Sequence, residues 1–568
     1  MKTKFIIPFL LFQLLFVNAL LARSQTTLDY KNRIHPEIAE DFMVVSQNSH
    51  ATEAGYEILR KGGNAVDAAV AVGFALAVTL PRAGNLGGGG FMLIFDKKEN
   101  KVSTIDYRSA SPKSARSEMF IKDSNVVRFG HLVNAVPGSV AGLLKAHDGH
   151  GKLNLRQVLR PAIELAEKGF PVTYDLNYAL TWSKESMLSN SASTSKFYQG
   201  KEEPIEVSKN FKQPKLANTL MLISRKGREA FYEGEVAKWI SEESLSRGGL
   251  ITLEDLSSYE AKSREPISID YRGYKIVSMP PAASGGLVLL QILNILENFD
   301  IPSLGHNSAR TIHLLSESMQ RAYADRATYH GDPDFFDVPT TELLNKGYAL
   351  KRANSISSQR TEDGQIFSGD LTKIDESPDT THFSVLDSEG NAVSNTYTLG
   401  SSFGSGVTIE KAGFLMNNQM RNFSHFYGKS NEVSLKTSEA NRLEPGKRMI
   451  STQTPTLVFN PKGDLIMVLG SPGGGRIPNI IAQVISNVID HKMSYSEAVL
   501  SPRINQRLEG NLELESGFSP DTIELLEGRG HEVKSSNTMG SVQAIFVEGD
   551  LIYGVADTRR PGALAKGD

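Results

Sequence analysis

The fold of this chain is limited above all by a series of short, strand-like runs that fills the sequence after Asp379. These runs alternate apolar and polar residues or are rich in β-branched residues. They are THFSVLD, NAVSNTYTL, TPTLVFN, DLIMVLG, VQAIFV and LIYGVA. Helical patterns lie between them at residues 478–490 and 520–528. Strand runs joined by short turns and covered by helices predict an α+β fold with antiparallel sheets, rather than a doubly wound parallel sheet.

The first part of the chain is richer in helical patterns. Residues 51–80 predict two helices, the second with Asn64 as its N-cap and Asp67 in the capping-box position. This second helix, residues 65–79, is apolar on nearly all sides and is therefore expected to be buried. A strand pair, FMLIFD and KVSTIDY, follows it. Further helices are predicted at residues 139–148, 155–168, 217–226, 285–297 and 309–329.

The boundary between the two parts is indicated by residues 368–379, a polar stretch without periodicity. The N-terminus has the features of a secretory signal peptide, because Lys2 and Lys4 precede an interrupted apolar run. We assign residues 1–24 to this signal and expect the mature chain to start near Gln25. The sequence thus predicts an exported protein, periplasmic or extracellular, without a membrane span after signal removal.

Composition removes several classes of function. The 568 residues include no cysteine, which excludes disulfides, thiolate metal sites, iron–sulfur clusters and a cysteine nucleophile. The formal net charge of -3 gives no support to binding of nucleic acid or anionic membranes. The sequence has no HExxH or EF-hand pattern, and His382 is expected to be an ordinary surface or core residue. We therefore expect a small-molecule partner, no metal and no other cofactor.

Two glycine clusters, GGGG at residues 87–90 and PGGGR at residues 472–476, could suggest phosphate-binding loops. Neither continues as GK[ST] or opens a GxGxxG unit, so nucleotide binding is not predicted. The second cluster joins a strand run to a helical run, where converging N–H groups suit a developing oxyanion. A tight turn with no catalytic role explains this glycine cluster equally well. Residues 400–404, GSSFG, resemble a nucleophile elbow around Ser402, but the strand-like sequence that follows does not fit one.

Residues 379–398 predict a β-hairpin that places two threonines opposite each other. If its loop has three residues, with Gly390 in the left-handed conformation, Thr380 lies opposite Thr398. A Thr–Thr pair is by itself a common feature of sheets. Cleavage of the preceding polar stretch, however, would make Thr380 an N-terminal residue whose α-amine can accept the proton of its own hydroxyl. Such a nucleophile needs no histidine.

Two sets of motifs run along the chain. The later part contains DTTHFSVLD, TYTLGSSFGSG, FLMNNQM, STQTPTLVF and GSPGGGRI, and the earlier part contains GGNAVDAAVAVGFALAVTLPRAGNLGGGGFMLI, IDYRSASP, VPGSVAGL, MPPAASGG and YADRATYHGDPDF. The later set resembles the small subunit, and the earlier set the large subunit, of the γ-glutamyltranspeptidase, or glutathione hydrolase, family of N-terminal nucleophile enzymes. The resemblance extends from about residue 42 to residue 557, with the motifs in the family's order.

The resemblance implies a four-layer αββα sandwich of the N-terminal nucleophile hydrolase type, made from one autocleaved precursor. The cut would fall between Asp379 and Thr380. It would give a large, helix-rich, substrate-binding subunit of residues 25–379 and a small catalytic subunit of residues 380–568. The two subunits would remain together as a heterodimer.

The resemblance also implies roles for individual residues. Thr380 would be the nucleophile, Thr398 its hydrogen-bond partner, and Gly473 and Gly474 the source of the oxyanion-hole N–H groups. The predicted substrate-binding residues are Arg108, Gln419, Asn422, Ser451 and Thr452. Of these, Arg108 and Ser451 would hold the donor α-carboxylate, a task that suits the planar fork of a guanidinium. The alternative for Arg108 is an exposed charge at the end of a strand.

Four positions depart from the family pattern. Asn422 replaces the usual aspartate, Ser109 a common glutamate, Gly400 an asparagine found in some members, and Thr452 a serine found in many. An amide at position 422 removes a charge-assisted bond to the donor α-ammonium, typically about 1.5 to 3 kcal/mol. The sequence therefore identifies the nucleophile more firmly than it identifies the donor.

The expected function is that of an exported γ-glutamyltransferase and glutathione hydrolase. It would act on glutathione or other γ-glutamyl small molecules and pass the acyl group to water, an amino acid or a peptide. One alternative is an acylase of the same family that acts on glutaryl-type amides or poly-γ-glutamate. Another is a non-catalytic exported binding protein on the same scaffold.

Overall fold

Two seven-stranded sheets form the centre of the computed structural model, which describes residues 34–122, 125–366, 380–425 and 438–568. Their strands, numbered in chain order, are β1 Glu37–Ala39, β2 Met43–Ser46, β3 Gly89–Asp96, β4 Lys101–Tyr107, β5 Lys262–Arg264, β6 Ile267–Tyr271, β7 Tyr274–Ser278, β8 Thr381–Leu386, β9 Ala392–Thr398, β10 Thr456–Phe459, β11 Leu465–Gly470, β12 Gln543–Glu548, β13 Leu551–Ala556 and β14 Leu564–Gly567. The first sheet has the order β1-β13-β12-β11-β10-β7-β6, and the second β14-β2-β8-β9-β3-β4-β5. Each neighbouring pair is antiparallel, as the sequence predicts.

Helices cover the outer faces of both sheets. Those of eight or more residues are α1 Ser49–Arg60, α2 Ala65–Thr79, α3 Ser139–His150, α4 Leu155–Lys168, α5 Tyr174–Trp182, α6 Ser191–Tyr198, α7 Pro214–Lys226, α8 Glu235–Ser246, α9 Ser284–Leu296, α10 Ala309–Tyr329, α11 Lys346–Asn354, α12 Ile477–Ile489 and α13 Pro520–Glu527. Shorter helical segments are Ser117–Phe120, His131–Val133, Lys184–Leu188, Arg228–Tyr232, Leu253–Ser257, Ile301–Leu304, Thr340–Leu343, Gln419–Asn422, Gly474–Arg476 and Tyr495–Leu500. Minor strands are Ile121–Lys122, Asn125–Val126, Phe170–Pro171, Asn210–Phe211, Ile504–Asn505, Leu512–Leu514 and Val533–Ser535.

Three hydrophobic cores divide the molecule into four layers. One lies between the sheets, where Phe91 of the second sheet and Val468 of the first belong to the same buried cluster. A second joins the second sheet to helices that include α1, α2, α4 and α7. A third joins the first sheet to α9, α10 and α12. The structure is therefore an αββα sandwich, which confirms the predicted fold class.

Helix α2 shows how local sequence sets the architecture. The side chain of Asn64 caps the first turn of α2, and the Asp67 carboxylate accepts a hydrogen bond from the Asn64 N–H. All side chains of the helix are buried. Helix α7 begins three residues earlier than predicted, because Pro214 fits the first turn of a helix. Helices α5, α6, α8 and α11 were not predicted from the sequence.

The hairpin of β8 and β9 has the predicted register. Thr381 pairs with Tyr397, the Asp387 N–H donates to the Asn391 carbonyl, and Gly390 has a φ of 82°. Continuing this register by one residue places Thr380 opposite Thr398. The predicted signal peptide, the polar stretch and Asp379 lie outside the described residues. Within the described ranges, no helix is both long and apolar enough to cross a membrane.

Candidate active site

A narrow cavity collects most of the residues that the sequence analysis selected. It lies where Thr380, the end of β9, the turn after β11 and the segment before β10 meet. Its lining residues are Arg108, Thr380, Thr398, Gly400, Arg421, Asn422, Ser451, Thr452, Gln453, Gly474 and Ile477. Residues that are far apart in sequence therefore face one small space.

Thr380 precedes β8 directly and is only 4% exposed. Its carbonyl accepts a hydrogen bond from Arg560 Nη1 at 3.4 Å. Opposite it, Thr398 Oγ1 accepts a hydrogen bond from the Gly400 N–H at 3.0 Å. The two threonines are thus fixed side by side at the cavity wall by the hairpin register and by local backbone contacts.

Two further elements set the position of Thr398. A Cβ atom on Gly88 would lie 2.1 Å from the Thr398 carbonyl oxygen, so the glycine run before β3 permits this close approach. That carbonyl also accepts a hydrogen bond from Gln419 Nε2 at 2.8 Å. Gln419 is fully buried and is not among the described lining residues. Gln419 therefore supports the backbone of Thr398 beside the cavity.

The turn after β11 fixes the direction of two backbone N–H groups, those of Gly473 and Gly474. Gly473 and Gly474 have φ values of 146° and 56°, which favour glycine. The Pro472 carbonyl accepts from Ser471 Oγ at 2.6 Å, and the Gly473 carbonyl accepts from the Arg476 N–H at 3.1 Å. In a trans peptide the carbonyl and the following N–H point in opposite directions. The N–H groups of Gly473 and Gly474 therefore point away from those internal contacts, and Gly474 lines the cavity.

Arg108 lies at the end of β4 and is 1% exposed, so its alternative interpretation as an exposed charge is wrong. Its Nε and Nη2 atoms donate to the carbonyl groups of Met449 and Ile450 at 3.3 and 3.4 Å. Its own carbonyl accepts from Tyr259 Oη at 2.9 Å. These contacts hold a cation at the inner end of the cavity, close to Ser451.

A buried charge network supports the backbone of Arg108. Asp106, which is fully buried, accepts the Arg108 N–H at 3.0 Å and Arg264 Nε at 2.8 Å. Arg448 Nη1 lies 3.5 Å from the same carboxylate, and the Arg448 N–H donates to Asp332. Burial alone would lower the pKa of Arg448, but the Asp106 carboxylate holds it above its ordinary value. The network thus keeps its arginines charged.

Two polar lining residues, Arg421 and Gln453, and the apolar Ile477 are not among the residues selected from the sequence. The sequence signal for Arg421 and Gln453 is their position next to Asn422 and Thr452, which lie in recognised motifs. Gln453 is 1% exposed, and neither polar atom of its side chain has a hydrogen-bond partner in the described part of the protein. Ser109 Oγ is also buried and lacks a partner there. Buried polar groups are usually hydrogen-bonded, so a bound molecule or ordered water at the cavity is the natural partner for the Gln453 amide.

His382 is a core residue, as predicted. Its ring shares hydrogen bonds with Thr396 Oγ1 at 2.8 Å and Ser384 Oγ at 3.1 Å. Burial lowers the pKa of His382 to about 3, so the ring is neutral at ordinary pH. A Cβ atom on Gly470 would lie 2.3 Å from this ring. The ring therefore packs directly against the strand that leads into the glycine turn.

The sequence profile of the family described as Gamma-glutamyltranspeptidase matches residues 51–567. The chain belongs to the γ-glutamyltranspeptidase family. This confirms the resemblance seen in the motifs, and the protein is an enzyme of this family.

Individual relatives cover nearly the whole chain. The glutathione hydrolase proenzyme of Escherichia coli K12 is 44% identical over 542 residues, which cover 94% of this chain and 93% of the relative. The acylase ACY 1 proenzyme of Pseudomonas sp. strain V22 is 36% identical and covers 94% of this chain and 95% of its own length. The crystal structure of cephalosporin acylase from Bacillus halodurans has a TM-score of 0.84 at 28% identity, with 96% and 98% of the two chains covered.

Proposed function

We propose that the protein is an exported γ-glutamyltransferase and glutathione hydrolase, with Thr380 as its nucleophile. The observation that supports this most strongly is the shared cavity, in which Thr380 faces Thr398, Gly474 and Arg108. The similarity to the glutathione hydrolase proenzyme of E. coli agrees with it. Cleavage before Thr380 would yield subunits of residues 25–379 and 380–568 and would release the α-amine of Thr380.

The first half of the reaction forms an ester. The α-amine of Thr380 accepts the hydroxyl proton, and Oγ1 attacks the γ-carbonyl of the donor. The resulting oxyanion accepts hydrogen bonds from the N–H groups of Gly473 and Gly474. The C–N bond then breaks, and the proton passes to the departing amine.

The second half releases the acyl group. Water, or the amino group of an amino acid or peptide, attacks the ester carbonyl and transfers a proton to the α-amine. Breaking of the ester C–O bond restores the Thr380 hydroxyl. Water gives hydrolysis, and an amine gives a new γ-glutamyl amide.

The donor carboxylate would be held at the inner end of the cavity. Arg108 supplies the positive charge there, and the hydroxyl groups of Ser451 and Thr452 are close by in the lining. Thr452 Oγ1 donates to the Gly474 carbonyl at 2.8 Å, which couples this carboxylate site to the glycine turn. Asn422 would face the donor's α-substituent.

A second candidate is an acylase that takes glutaryl-type amides, or poly-γ-glutamate, through the same chemistry. Asn422 favours the glutaryl form, since an amide leaves no carboxylate unpaired when the donor lacks an α-ammonium. The similarity to acylase ACY 1 agrees with this candidate.

The test combines processing with donor choice. The purified protein should give two bands on a denaturing gel, and its kcat/KM should be compared on γ-glutamyl, glutaryl and α-glutamyl anilides. A dominant γ-glutamyl rate supports the first candidate, and a dominant glutaryl rate supports the second. A single full-length band with no turnover would contradict both and favour a binding protein.

A further inference from the structure

The carbonyl of Thr380 points away from the strand that carries Thr398. Along an antiparallel hairpin, hydrogen-bonded residue pairs alternate with pairs that are not hydrogen-bonded. Counting from the hydrogen bond between the Asp387 N–H and the Asn391 carbonyl, Thr380 and Thr398 form a pair of the second kind. The backbone groups of such a pair point outward, so the Thr380 carbonyl is directed to the side of β8 on which β2 lies.

Strand β2 ends before it reaches Thr380. Its last residue, Ser46, pairs with Phe383, and the same register would place Ser49 opposite Thr380. Ser49 is instead the first residue of α1. Within the described residues, β2 therefore offers no backbone donor to the Thr380 carbonyl.

The side chain of Arg560 takes the place of the missing strand. Arg560 lies between β13 and β14, and its Nη1 atom donates to the Thr380 carbonyl at 3.4 Å. The buried side chain of Gln47 joins in. In the orientation that satisfies its neighbours, Gln47 Oε1 accepts from Arg560 Nη1 at 3.2 Å, and Gln47 Nε2 donates to Thr381 Oγ1 at 3.2 Å. Arg82 Nη2 donates to the same Gln47 oxygen at 2.8 Å, which fixes the amide.

These contacts reach Thr380 from outside the cavity. Neither Arg560 nor Gln47 is among the described lining residues, so any effect on the reaction passes through Thr380. The first residue of a chain frays unless it is tied down, so the contact matters most after the proposed cut. A hydrogen bond from a guanidinium is charge-assisted, and holding the carbonyl limits rotation about the Cα–C bond of Thr380. That rotation sets where the α-amine and the hydroxyl lie.

We propose that Arg560 is a positioning residue for the nucleophile, supported by Gln47. Its guanidinium holds the Thr380 carbonyl, and thereby keeps the Thr380 hydroxyl beside Thr398 and the glycine turn. The same hydroxyl attacks during the proposed cut and during turnover, so Arg560 serves both steps. This inference rests on the proposed function, because it takes Thr380 as the nucleophile.

The test measures turnover of γ-glutamyl-4-nitroanilide by Arg560→Met, with kcat expressed per processed small subunit. We expect kcat to fall about tenfold or more while KM stays within about twofold of wild type, because the nucleophile is misplaced and Arg108 is untouched. Arg560→Lys should recover part of the loss, since an ammonium can still donate to the carbonyl. The precursor of Arg560→Met should also mature more slowly in a time course on a denaturing gel.

A second variant, Gln47→Met, tests the same arrangement from the other side. It should lower kcat in the same direction, and the double variant should lose less than the product of the two single losses, since both side chains hold one residue pair. The control is Arg507→Met, which removes an exposed arginine of the same predicted subunit and should leave kcat, KM and maturation unchanged.

Three results would refute the role of Arg560. They are a wild-type kcat in Arg560→Met, a rise in KM alone, and a Tm several degrees below wild type with no recovery in Arg560→Lys. If Arg560→Met remains uncut, the comparison is with the uncut Thr380→Ala protein. An equal Tm supports the proposal, because the precursor is folded but its nucleophile is out of place, whereas a clearly lower Tm contradicts it.

Failure of the proposed function gives a different pattern. The processed wild-type protein would then leave both γ-glutamyl-4-nitroanilide and glutaryl-4-nitroanilide intact, and the inference would fall with it. If the wild-type protein hydrolyses either anilide and Arg560→Met does so equally fast, only the role of Arg560 is refuted.

Discussion

The buried amide of Gln453, for which the described part of the protein offers no hydrogen-bond partner, predicts a variant that is more stable but less active. Gln453→Met keeps the length of the side chain and removes the two polar atoms that lack partners in the described structure. Methionine is flexible and adapts well to irregular space. If the Gln453 amide binds substrate, its removal should raise the stability of the free enzyme and lower the affinity of the enzyme for its substrate.

The magnitude follows from the burial of the side chain. An amide taken out of water without a partner costs about 1 to 3 kcal/mol in proteins. At about 2.1 cal/mol/K per residue, the unfolding entropy of a 568-residue chain is roughly 1.2 kcal/mol/K, so Tm should rise by about 1 to 3 °C. Loss of one or two neutral hydrogen bonds to the donor should lower kcat/KM by about threefold to tenfold.

Calorimetry and steady-state kinetics on the processed protein test both effects. Gln483→Met is the matched control, because this buried amide donates to the Asn479 and Ile504 carbonyls and accepts the Ile504 N–H. Gln483→Met should lower Tm, since the backbone groups that bind this amide are left without hydrogen-bond partners. A fall in Tm for Gln453→Met of similar size would show that its amide is satisfied in the folded protein. An unchanged KM would remove it from the donor site.

Four further variants test the remaining elements of the site. Thr380→Ala should stop both maturation and turnover and give one band near full length; two bands of wild-type size would refute the nucleophile. Arg108→Lys should raise the donor KM well before kcat falls, because the bidentate fork is lost, and an unchanged KM would place the carboxylate elsewhere. Asn422→Asp should raise the γ-glutamyl to glutaryl ratio of kcat/KM by about tenfold or more, which corresponds to about 1.4 kcal/mol; a ratio that is already large and does not change would mean that another acid holds the amine. The pKa of His382 is lowered to about 3 by burial, below its unfolded value of about 6.5, so its stabilising contribution is complete above pH 6.5 and is lost as pH falls toward 3. His382→Gln should therefore show a shallower fall of the urea midpoint between pH 6.5 and 4, and an identical slope would contradict the assignment.

The elements with strong local signals could be predicted from the sequence. The register of the β8–β9 hairpin follows from loop length and from Gly390, and the boundaries of α2 follow from its cap and its apolar length. The short helix α5 gives no such signal. Its aromatic residues Tyr174 and Trp182 face solvent, so their spacing does not mark a core face.

From the sequence, site residues can be selected only where they have a known role in a motif of the family. Thr380 and the glycine turn could be selected because the expected chemistry requires those residue types, and the structure brings Thr380 and Gly474 to one cavity. Gln453 and Arg421 could not, because their significance depends on where neighbouring segments place them and on the partners that remain for their polar atoms. Gln419 is predicted to lie beside the donor, and its amide donates to the Thr398 carbonyl next to the cavity, so its role toward the donor stays a prediction.

The strand order also determines when the chain can be cut. In one sheet, β2 lies between β14 and β8, and β9 lies beside β3, whereas in the other sheet β10 to β13 lie between β1 and β7. Each predicted subunit therefore supplies strands to both sheets and on its own would expose long unpaired edges, which promote aggregation. Folding of the uncut chain must come first, and co-expression of the two segments from separate start codons should yield mostly insoluble protein. If the chain is cut where we propose, the peptide bond before Thr380 would keep the two segments together during folding and would become dispensable once the sheets have formed.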